Sequence, residues 1–229
     1  MYSNIKVIAF DADDTLWVNE PFFREAEHQF AMLLSSFETE NKINQELLMK
    51  ELHNLELYGY GVKGFVLSMI ESAIEISNHK VSSKEISQII DIGKNMLNKP
   101  IELLDGVTEV LKTLSLKHKL IVVTKGDLLD QERKLEKSGL LKYFDHIEIL
   151  SEKKEGNYTR LIEFLDIHPS EFLMIGNSLK SDVLPLVKIG AKAVHVPYHT
   201  TWVLEEVHDH DEEDSFITIT SLLEILKFL

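Results

Sequence analysis

Three carboxylates stand close together near the start of this 229-residue chain: Asp11, Asp13 and Asp14, with Thr15 directly behind them. They follow an apolar run, residues 5–10, of the kind that forms a strand buried on both faces of a parallel sheet. Such sheets bind ligands just beyond the carboxyl ends of their strands. Ionised carboxylates at this spacing repel one another, so they favour a bound cation, and Mg²⁺ prefers oxygen ligands. The alternative is a polar turn or helix cap after the strand.

Two later apolar runs also end in polar residues. Residues 120–123 lead into Thr124, and residues 172–175 lead into a Gly-Asn pair that ends at Asn177, with Asp182 five residues further on. Each run therefore has the composition of a buried strand that brings polar groups to its carboxyl end.

Together with Lys153, these segments resemble the four motifs of the haloacid dehalogenase superfamily, in the family's order. The family's motifs are Asp-x-Asp-x-Thr after a strand, a strand ending in Thr or Ser, a lysine, and a strand followed by Gly-Asp-x-x-x-x-Asp. The resemblance covers almost the whole chain and departs from the pattern at Asn177, where the family usually has an acid. It implies phosphoryl transfer rather than dehalogenation, because the family's dehalogenases lack the second acid of the first motif, which is Asp13 here.

The resemblance also implies catalytic roles. Asp11 is expected to be the nucleophile that forms an aspartyl-phosphate. Asp13 is expected to be the general acid in the first step and the base for water in the second. Lys153 is expected to neutralise negative charge beside the nucleophile. Lys154 is the alternative, and the spacing to Tyr158 favours Lys153.

The binding groups follow from the same resemblance. Thr124 is expected to bind the phosphoryl group, assisted by the backbone N–H groups of Lys125 and Gly126. Mg²⁺ is the expected cofactor, held by four residues of the first and fourth motifs, namely Asp11, Asp13 through its backbone carbonyl, Asn177 and Asp182. The neutral amide of Asn177 lowers the expected affinity for the metal rather than changing the class of reaction.

Around these motifs the sequence predicts an α/β fold, a doubly wound, parallel, Rossmann-like sheet core with an inserted all-α helical cap. We assign residues 1–18 and 101–229 to the catalytic core and residues 19–100 to the cap. Helical periodicity recurs in four stretches of the insertion: 25–37, 44–57, 62–76 and 83–97. Strands are predicted in the core at 120–124, 147–150, 172–175, 193–196 and 216–219. Helices are predicted there at 158–165, at 181–188 and at 221–228. A further helix is predicted to follow the strand at 120–124 and to end at residue 137.

The resemblance implies that the cap closes over the site, excludes water and selects the substrate. Glu20, Phe22 and Phe23 are the residues predicted to meet the leaving group, with core packing as the alternative for both phenylalanines. The predicted reaction is hydrolysis of a small phosphorylated metabolite, such as a sugar phosphate or a nucleoside monophosphate. The alternatives are a phosphosugar mutase of the same superfamily and a non-catalytic pseudoenzyme that binds a phosphorylated ligand.

Composition narrows the range of partners. The net charge of −14 argues against nucleic acid or an anionic membrane as a partner. The absence of cysteine excludes disulfides and thiolate metal sites and fits a cytoplasmic location. No feature of the sequence indicates an oligomeric state.

Two further patterns have simpler interpretations. The segment from Gly59 to Gly64 matches the Gly-x-Gly-x-x-Gly pattern of dinucleotide-binding loops, but a helix rather than a strand is predicted before it, so we expect a turn between helices. The run from His208 to Asp214 contains residue types that bind metals, but charged blocks of this kind are usually solvated loops.

Overall fold

The computed structural model describes Tyr2, residues 4–207 and residues 215–229. The charged run from His208 to Asp214 therefore lies outside the described residues. Within the part of the chain that is described, no helix is both long and apolar enough to cross a membrane.

The chain forms two compact units, an α/β unit and a helical unit. The α/β unit comprises Met1–Glu20, Ile101–Lys125 and Gln131–Leu229. The helical unit comprises Pro21–Pro100 and the short segment Gly126–Asp130. The described strands are β1 (Val7–Phe10), β2 (Lys119–Lys125), β3 (His146–Leu150), β4 (Phe172–Gly176), β5 (Lys192–His195) and β6 (Ile217–Thr218). The described α-helices are α1 (Glu20–Leu33), α2 (Glu40–Tyr58), α3 (Val62–Ile76), α4 (Ser83–Asn98), α5 (Val107–Leu114), α6 (Leu128–Ser138), α7 (Glu155–Phe164) and α8 (Leu184–Lys188).

The six strands pair in parallel in the order β3-β2-β1-β4-β5-β6. On one face of β1, Ile8 and Phe10 pack in a core with the apolar side of α5. On the other face, Val7 and Ala9 pack in a second core with α7. A strand buried on both faces is apolar throughout, which is why β1 could be recognised in the sequence. The predicted parallel, Rossmann-like α/β fold is confirmed.

The helix predicted at 181–188 has a different form. A π-helical turn, Leu179–Val183, comes first, and α8 follows it. Pro185 has no N–H to donate to the carbonyl of Ser181, so the regular α-helical bond is missing at this point. The hydroxyl of Tyr158 donates to that carbonyl instead, at 2.9 Å. This turn lies directly after β4, where it carries Asp182.

The helical unit has a core of its own, in which Phe30, Ile43, Leu47, Met69 and Ile89 are fully or almost fully buried. Its α4 begins with a reciprocal cap, in which the Ser82 side chain accepts from the N–H of Glu85 and the Glu85 carboxylate accepts from the N–H of Ser82. Residues 59–61 join α2 to α3, which confirms the predicted turn between helices, and Gly64 lies in the first turn of α3. The helix predicted at 25–37 runs instead from Glu20 to Leu33.

Two segments that flank the insertion pair with each other inside the α/β unit. The N–H of Val18 donates to the carbonyl of Glu102 at 2.9 Å, and the N–H of Leu104 donates to the carbonyl of Leu16 at 3.0 Å. Trp17 lies between them and is completely buried. This pairing fixes the chain immediately after the three N-terminal acids.

Candidate active site

Asp11 lies directly after β1, at the carboxyl end of the central strands. Its N–H donates to the carbonyl of Ile175 in β4 at 2.9 Å, so the backbone of the first acid is tied to the neighbouring strand. The strands on either side of β1 end in Thr124-Lys125 and in Gly176. Asp11 and Thr124 are both buried. The sheet therefore brings the first, second and fourth predicted motifs to one edge.

Lys153 lies between two carboxylates. Its Nζ donates to Asp11 Oδ1 and, at 2.6 Å, to Asp182 Oδ1. The Lys153 side chain is 1% exposed, whereas that of Lys154 is 69% exposed and lies 3.9 Å from Glu152. The structure thus places Lys153, and not Lys154, beside the acid predicted to be the nucleophile.

The charges of this cluster depend on one another. Burial lowers the pKa of Lys153, but the carboxylates of Asp11 and Asp182 raise it by more, so its pKa is raised and the ammonium group stays charged. Burial raises the pKa of Asp11 to about 7, and the Lys153 ammonium acts in the opposite direction. A further cation beside Asp11 would lower this pKa again and favour the ionised form that a nucleophile requires.

Gly176 provides the space in which Asp182 lies. A Cβ built on Gly176 would overlap the Asp182 carboxylate, so only glycine allows this close approach. Asp182 Oδ2 accepts from the N–H of Ser178 at 3.1 Å, while its other oxygen accepts from Lys153. Asp182 therefore reaches the site through the lysine that it orients.

Asn177 lies beside the first motif. One terminal atom of its side-chain amide is 3.2 Å from Asp11 Oδ2, from the backbone oxygen of Asp13 and from Thr15 Oγ1. With its nitrogen inward, the amide donates to these atoms. With its oxygen inward, Asp11, Asp13 and Asn177 present three neighbouring oxygens, an arrangement that a cation stabilises. This donor set fits Mg²⁺, which prefers oxygen ligands.

The acids alone do not make up a metal centre. Among the described residues, no group of three or more His, Cys, Asp or Glu side chains is arranged to hold a metal ion. The oxygens gathered at the end of β1 come instead from one carboxylate, one backbone carbonyl and one amide.

Asp13 accepts hydrogen bonds at both carboxylate oxygens. Oδ1 accepts from Trp17 Nε1 at 2.7 Å and from Lys134 Nζ at 2.9 Å. Oδ2 accepts from Gln131 Nε2 at 2.8 Å. The side chain is 24% exposed, so it is held in place without being sealed from solvent. Oδ2 is the oxygen with more room to carry a proton, because it accepts one bond and Oδ1 accepts two.

The Asp14 side chain caps the start of α1. Its backbone is left-handed, with φ of 59°, and its Oδ1 accepts from the N–H groups of Asn19 at 2.8 Å and Glu20 at 3.1 Å. The carboxylate thereby satisfies free N–H groups where α1 begins. This explains why α1 begins at Glu20, five residues before the predicted start. The helix-cap interpretation of the acidic segment thus applies to Asp14.

The second motif contributes Thr124 and Lys125, whose side chains have different hydrogen-bond partners. Thr124 Oγ1 donates to the carbonyl of Lys125 at 3.2 Å. The Lys125 side chain turns to Ser181 and Glu205. Gly126 belongs to the segment that groups with the helical unit.

The two phenylalanines predicted to meet the leaving group have partners within the helical unit. Phe23 packs against the ring of Phe65, with ring centroids 5.2 Å apart, and Lys99 Nζ lies 5.1 Å from the centroid of Phe22. Phe23 thus follows its alternative interpretation as a core residue.

Four residues that contact the site belong to none of the four motifs, and the sequence did not predict them. They are Trp17, Gln131, Lys134 and Glu205. Gln131 and Lys134 are three residues apart on α6, so they lie on one face of that helix. That spacing is a weak signal, and it could have suggested a shared partner. Nothing in the local sequence distinguishes Glu205 from the neighbouring Glu206.

The profile of the haloacid dehalogenase-like hydrolase family matches residues 5–190. This span contains every predicted site residue from Asp11 to Asp182. The chain belongs to this family, which confirms the resemblance found in its motifs.

Known proteins agree with that assignment. The chain is similar to N-acylneuraminate-9-phosphatase from Mus musculus, with 24% identity over 212 residues that cover 88% of this chain and 83% of the relative. It is also similar to the crystal structure of a haloacid dehalogenase-like family hydrolase from Xanthomonas campestris, with 41% identity, a TM-score of 0.82 and coverage of 90% and 87% of the two chains. A magnesium-bound hydrolase of the family from Bacillus subtilis shares the fold at 18% identity, with a TM-score of 0.65 and 99% of both chains covered. The chain is thus a hydrolase of this family, and the phosphatase-type prediction agrees with the curated relative.

Proposed function

We propose that this protein is a Mg²⁺-dependent phosphatase that hydrolyses a small phosphomonoester through an aspartyl-phosphate on Asp11. The observation that carries the proposal is the ion cluster at the end of β1, where Lys153 contacts both Asp11 and Asp182. The retained acid at Asp13 supports transfer of a phosphoryl group, because a leaving oxygen needs a proton donor.

In the first step, a carboxylate oxygen of Asp11 attacks the phosphorus atom. The P–O bond to the leaving group breaks, and Asp13 transfers a proton to the departing oxygen. The Lys153 ammonium offsets the negative charge that gathers beside Asp11, and Asp182 holds that ammonium in position. The hydroxyl of Thr124 and the N–H groups that follow it bind the phosphoryl oxygens.

In the second step, water attacks the phosphorus of the aspartyl-phosphate and Asp13 removes its proton. The bond between phosphorus and Asp11 breaks, which restores the carboxylate and releases inorganic phosphate. Asp13 is thus restored to its protonated form for the next turnover. When bound by Asp11, the carbonyl of Asp13 and Asn177, Mg²⁺ supplies charge that stabilises the phosphoryl oxygens.

The substrate is a small phosphorylated metabolite in this proposal. At 24% identity, the substrate named for the mouse phosphatase is not transferred to this chain. The helical unit is proposed to act as the cap that selects the substrate, and a cytoplasmic location stays a prediction. The net charge of −14 argues against nucleic acid as the substrate.

The test is a phosphate-release assay with Mg²⁺ over a panel of sugar phosphates and nucleoside monophosphates. Asp11→Asn should abolish release, because an amide does not attack phosphorus, and should leave the circular dichroism spectrum unchanged. Asp91→Asn is the matched control, since Asp91 is an exposed residue of α4. It should retain full activity.

The outcomes separate the candidate functions. Phosphate release with water as the acceptor supports the phosphatase. Isomerisation of a phosphosugar would support a mutase, and binding of a phosphate ester without turnover would support a pseudoenzyme. Phosphate release by Asp11→Asn at the wild-type rate would exclude Asp11 as the nucleophile.

A further inference from the structure

A partly buried carboxylate outside the four motifs, that of Glu205, bonds to residues next to the site. Glu205 ends a short 3₁₀ turn, Val203–Glu205, that follows β5, and its side chain is 15% exposed. Its Oε2 accepts from the hydroxyls of Ser178 and Ser181, and its Oε1 accepts from Lys125 Nζ. Three donors from two different segments thus converge on one carboxylate.

The two serines flank the side chains that face the site. Ser178 directly follows Asn177, and Ser181 directly precedes Asp182. Both ends of this loop are therefore attached to Glu205. The loop is also joined to the turn by Lys180, whose Nζ donates to the carbonyl of Leu204 at 2.6 Å. A displacement of Glu205 would release both neighbours of the two site residues together.

The third donor belongs to the phosphate-binding strand. Lys125 directly follows Thr124 at the end of β2, and its Nζ also donates to Ser181 Oγ at 2.9 Å. Lys125, Ser181 and Glu205 therefore form a closed ring of hydrogen bonds between the end of β2 and the loop after β4. Because Glu205 belongs to neither segment, it fixes their separation from outside.

Two physical effects operate in this ring. Burial raises the pKa of Glu205, but the Lys125 ammonium and the two serine hydroxyls lower it by more, so its pKa lies below the usual value and it is ionised. The carboxylate offsets the charge of the partly buried Lys125. It also orients the two hydroxyls, which a neutral residue of the same shape would do less strongly.

We propose that Glu205 is a positioning residue for the metal site, holding the loop that bears Asn177 and Asp182 against the end of β2. This inference rests on the proposed function, in which those residues serve Mg²⁺ and the phosphoryl group. Glu205 acts through the serines and Lys125. Residues that bond directly to metal ligands typically change metal affinity about 10–100-fold when they are mutated, and Glu205, which bonds to the chain neighbours of the ligands, should fall at the lower end of that range.

The test measures Mg²⁺ binding directly by isothermal titration calorimetry on the full chain. Glu205→Gln should weaken Mg²⁺ binding by about tenfold or more, and Glu206→Gln, the exposed neighbour, should bind as the wild type does. Thermal unfolding without Mg²⁺ is recorded for each variant, so that lost affinity is separated from lost folding. Ser181→Ala, a milder change, should weaken binding by a smaller factor and keeps the test available if Glu205→Gln does not fold.

A double variant distinguishes geometry from simple neutralisation. If Glu205 positions the loop, Glu205→Gln combined with Lys125→Met should bind Mg²⁺ as weakly as Glu205→Gln alone. Recovery of wild-type affinity in the double variant would reduce Glu205 to a counter-ion and overturn the inference. Unchanged affinity in Glu205→Gln would do the same.

The result that would contradict the proposed function differs from the results that would contradict the role of Glu205. A wild-type protein that binds Mg²⁺ yet releases no phosphate from any ester of the panel would contradict the phosphatase proposal, while the affinities of the Glu205 variants would still decide the role of Glu205.

Discussion

The hydrogen bonds to the Asp13 carboxylate bear directly on its proposed role in proton transfer. Trp17, Gln131 and Lys134 together supply three donors to its two oxygens. These donors hold the carboxylate in one orientation, which suits the base of the second step. For the first step, Asp13 must carry a proton, and Oδ2 has more room for it than Oδ1.

Asp13→Asn should therefore slow hydrolysis in a way that depends on the leaving group. An alkyl phosphate needs its departing oxygen protonated, so its kcat/KM should fall by about 10²–10⁴-fold. An activated aryl phosphate leaves without help, so formation of the aspartyl-phosphate should be nearly normal. The measurement is the burst of aryl alcohol in a rapid-mixing experiment, and equal losses for both substrates would argue against leaving-group protonation.

Gly176→Ala tests the packing of Asp182. The added methyl group overlaps the Asp182 carboxylate, so Asp182 must move and Lys153 loses one of its two partners. We expect a large loss of kcat with the helical circular dichroism signal retained. Gly156→Ala in α7 is the control, because no atom lies within 4 Å of the added Cβ there. Wild-type turnover by Gly176→Ala would show that the position of Asp182 is not critical.

At the level of elements, the loop after β4 bears both Asn177, whose amide is proposed to bind the metal, and Asp182, whose carboxylate contacts Lys153. Asn177→Asp adds a negative charge beside Asp11 and should lower the Mg²⁺ concentration needed for half-maximal activity. Asp182→Asn removes a charge and should raise it. These opposite shifts, read from Mg²⁺ titrations at saturating substrate, separate the geometry from general damage.

An unchanged Mg²⁺ requirement in Asp182→Asn would have a specific meaning. It would restrict Asp182 to orienting Lys153, which is the contact that the structure shows. The metal would then depend on Asp11, Asn177, the carbonyl of Asp13 and water.

The sequence predicted the strands well because they are buried on both faces and therefore apolar throughout, as in β1 and β4. It failed where a partner outside the element decides the local structure. Helix α1 begins early because Asp14 accepts its first N–H groups from outside the helix. The turn at Leu179–Val183 departs from an α-helix because Pro185 leaves a carbonyl to Tyr158.

The site shows the same limit. Motif spacing identified Asp11 directly after β1, Thr124 at the end of β2 and Asp182 in the turn after β4. It favoured Lys153 over Lys154 only through the spacing to Tyr158, because the difference in burial between the two adjacent lysines cannot be read from the sequence. It gave no indication of Glu205, whose partners lie 24 and 27 residues earlier at the serines and 80 residues earlier at Lys125.

For the whole molecule, the separate cores of the two units predict separable stability. Phe30→Ala should destabilise the helical unit by about 3–5 kcal/mol, because it empties a fully buried position there. Hydrogen exchange should then accelerate mainly in peptides from Pro21–Pro100. Leu111→Ala, in a core of the α/β unit, is the counterpart and should accelerate exchange mainly in the other unit. Uniform acceleration across the chain by Phe30→Ala would show that the two units unfold together.

The ion cluster at the end of β1 also has a consequence for how the protein is made. Lys153 comes 142 residues after Asp11, and Asn177 comes 162 residues after Thr15. The three acids therefore leave the ribosome long before the cation and the amide that stabilise them. Until then they are mutually repelling charges at the end of a very apolar segment, and the central strand has neither neighbour to pair with. Completion of the site is thus a late event in synthesis, and nascent chains that end before Lys153 must keep their first strand from pairing wrongly.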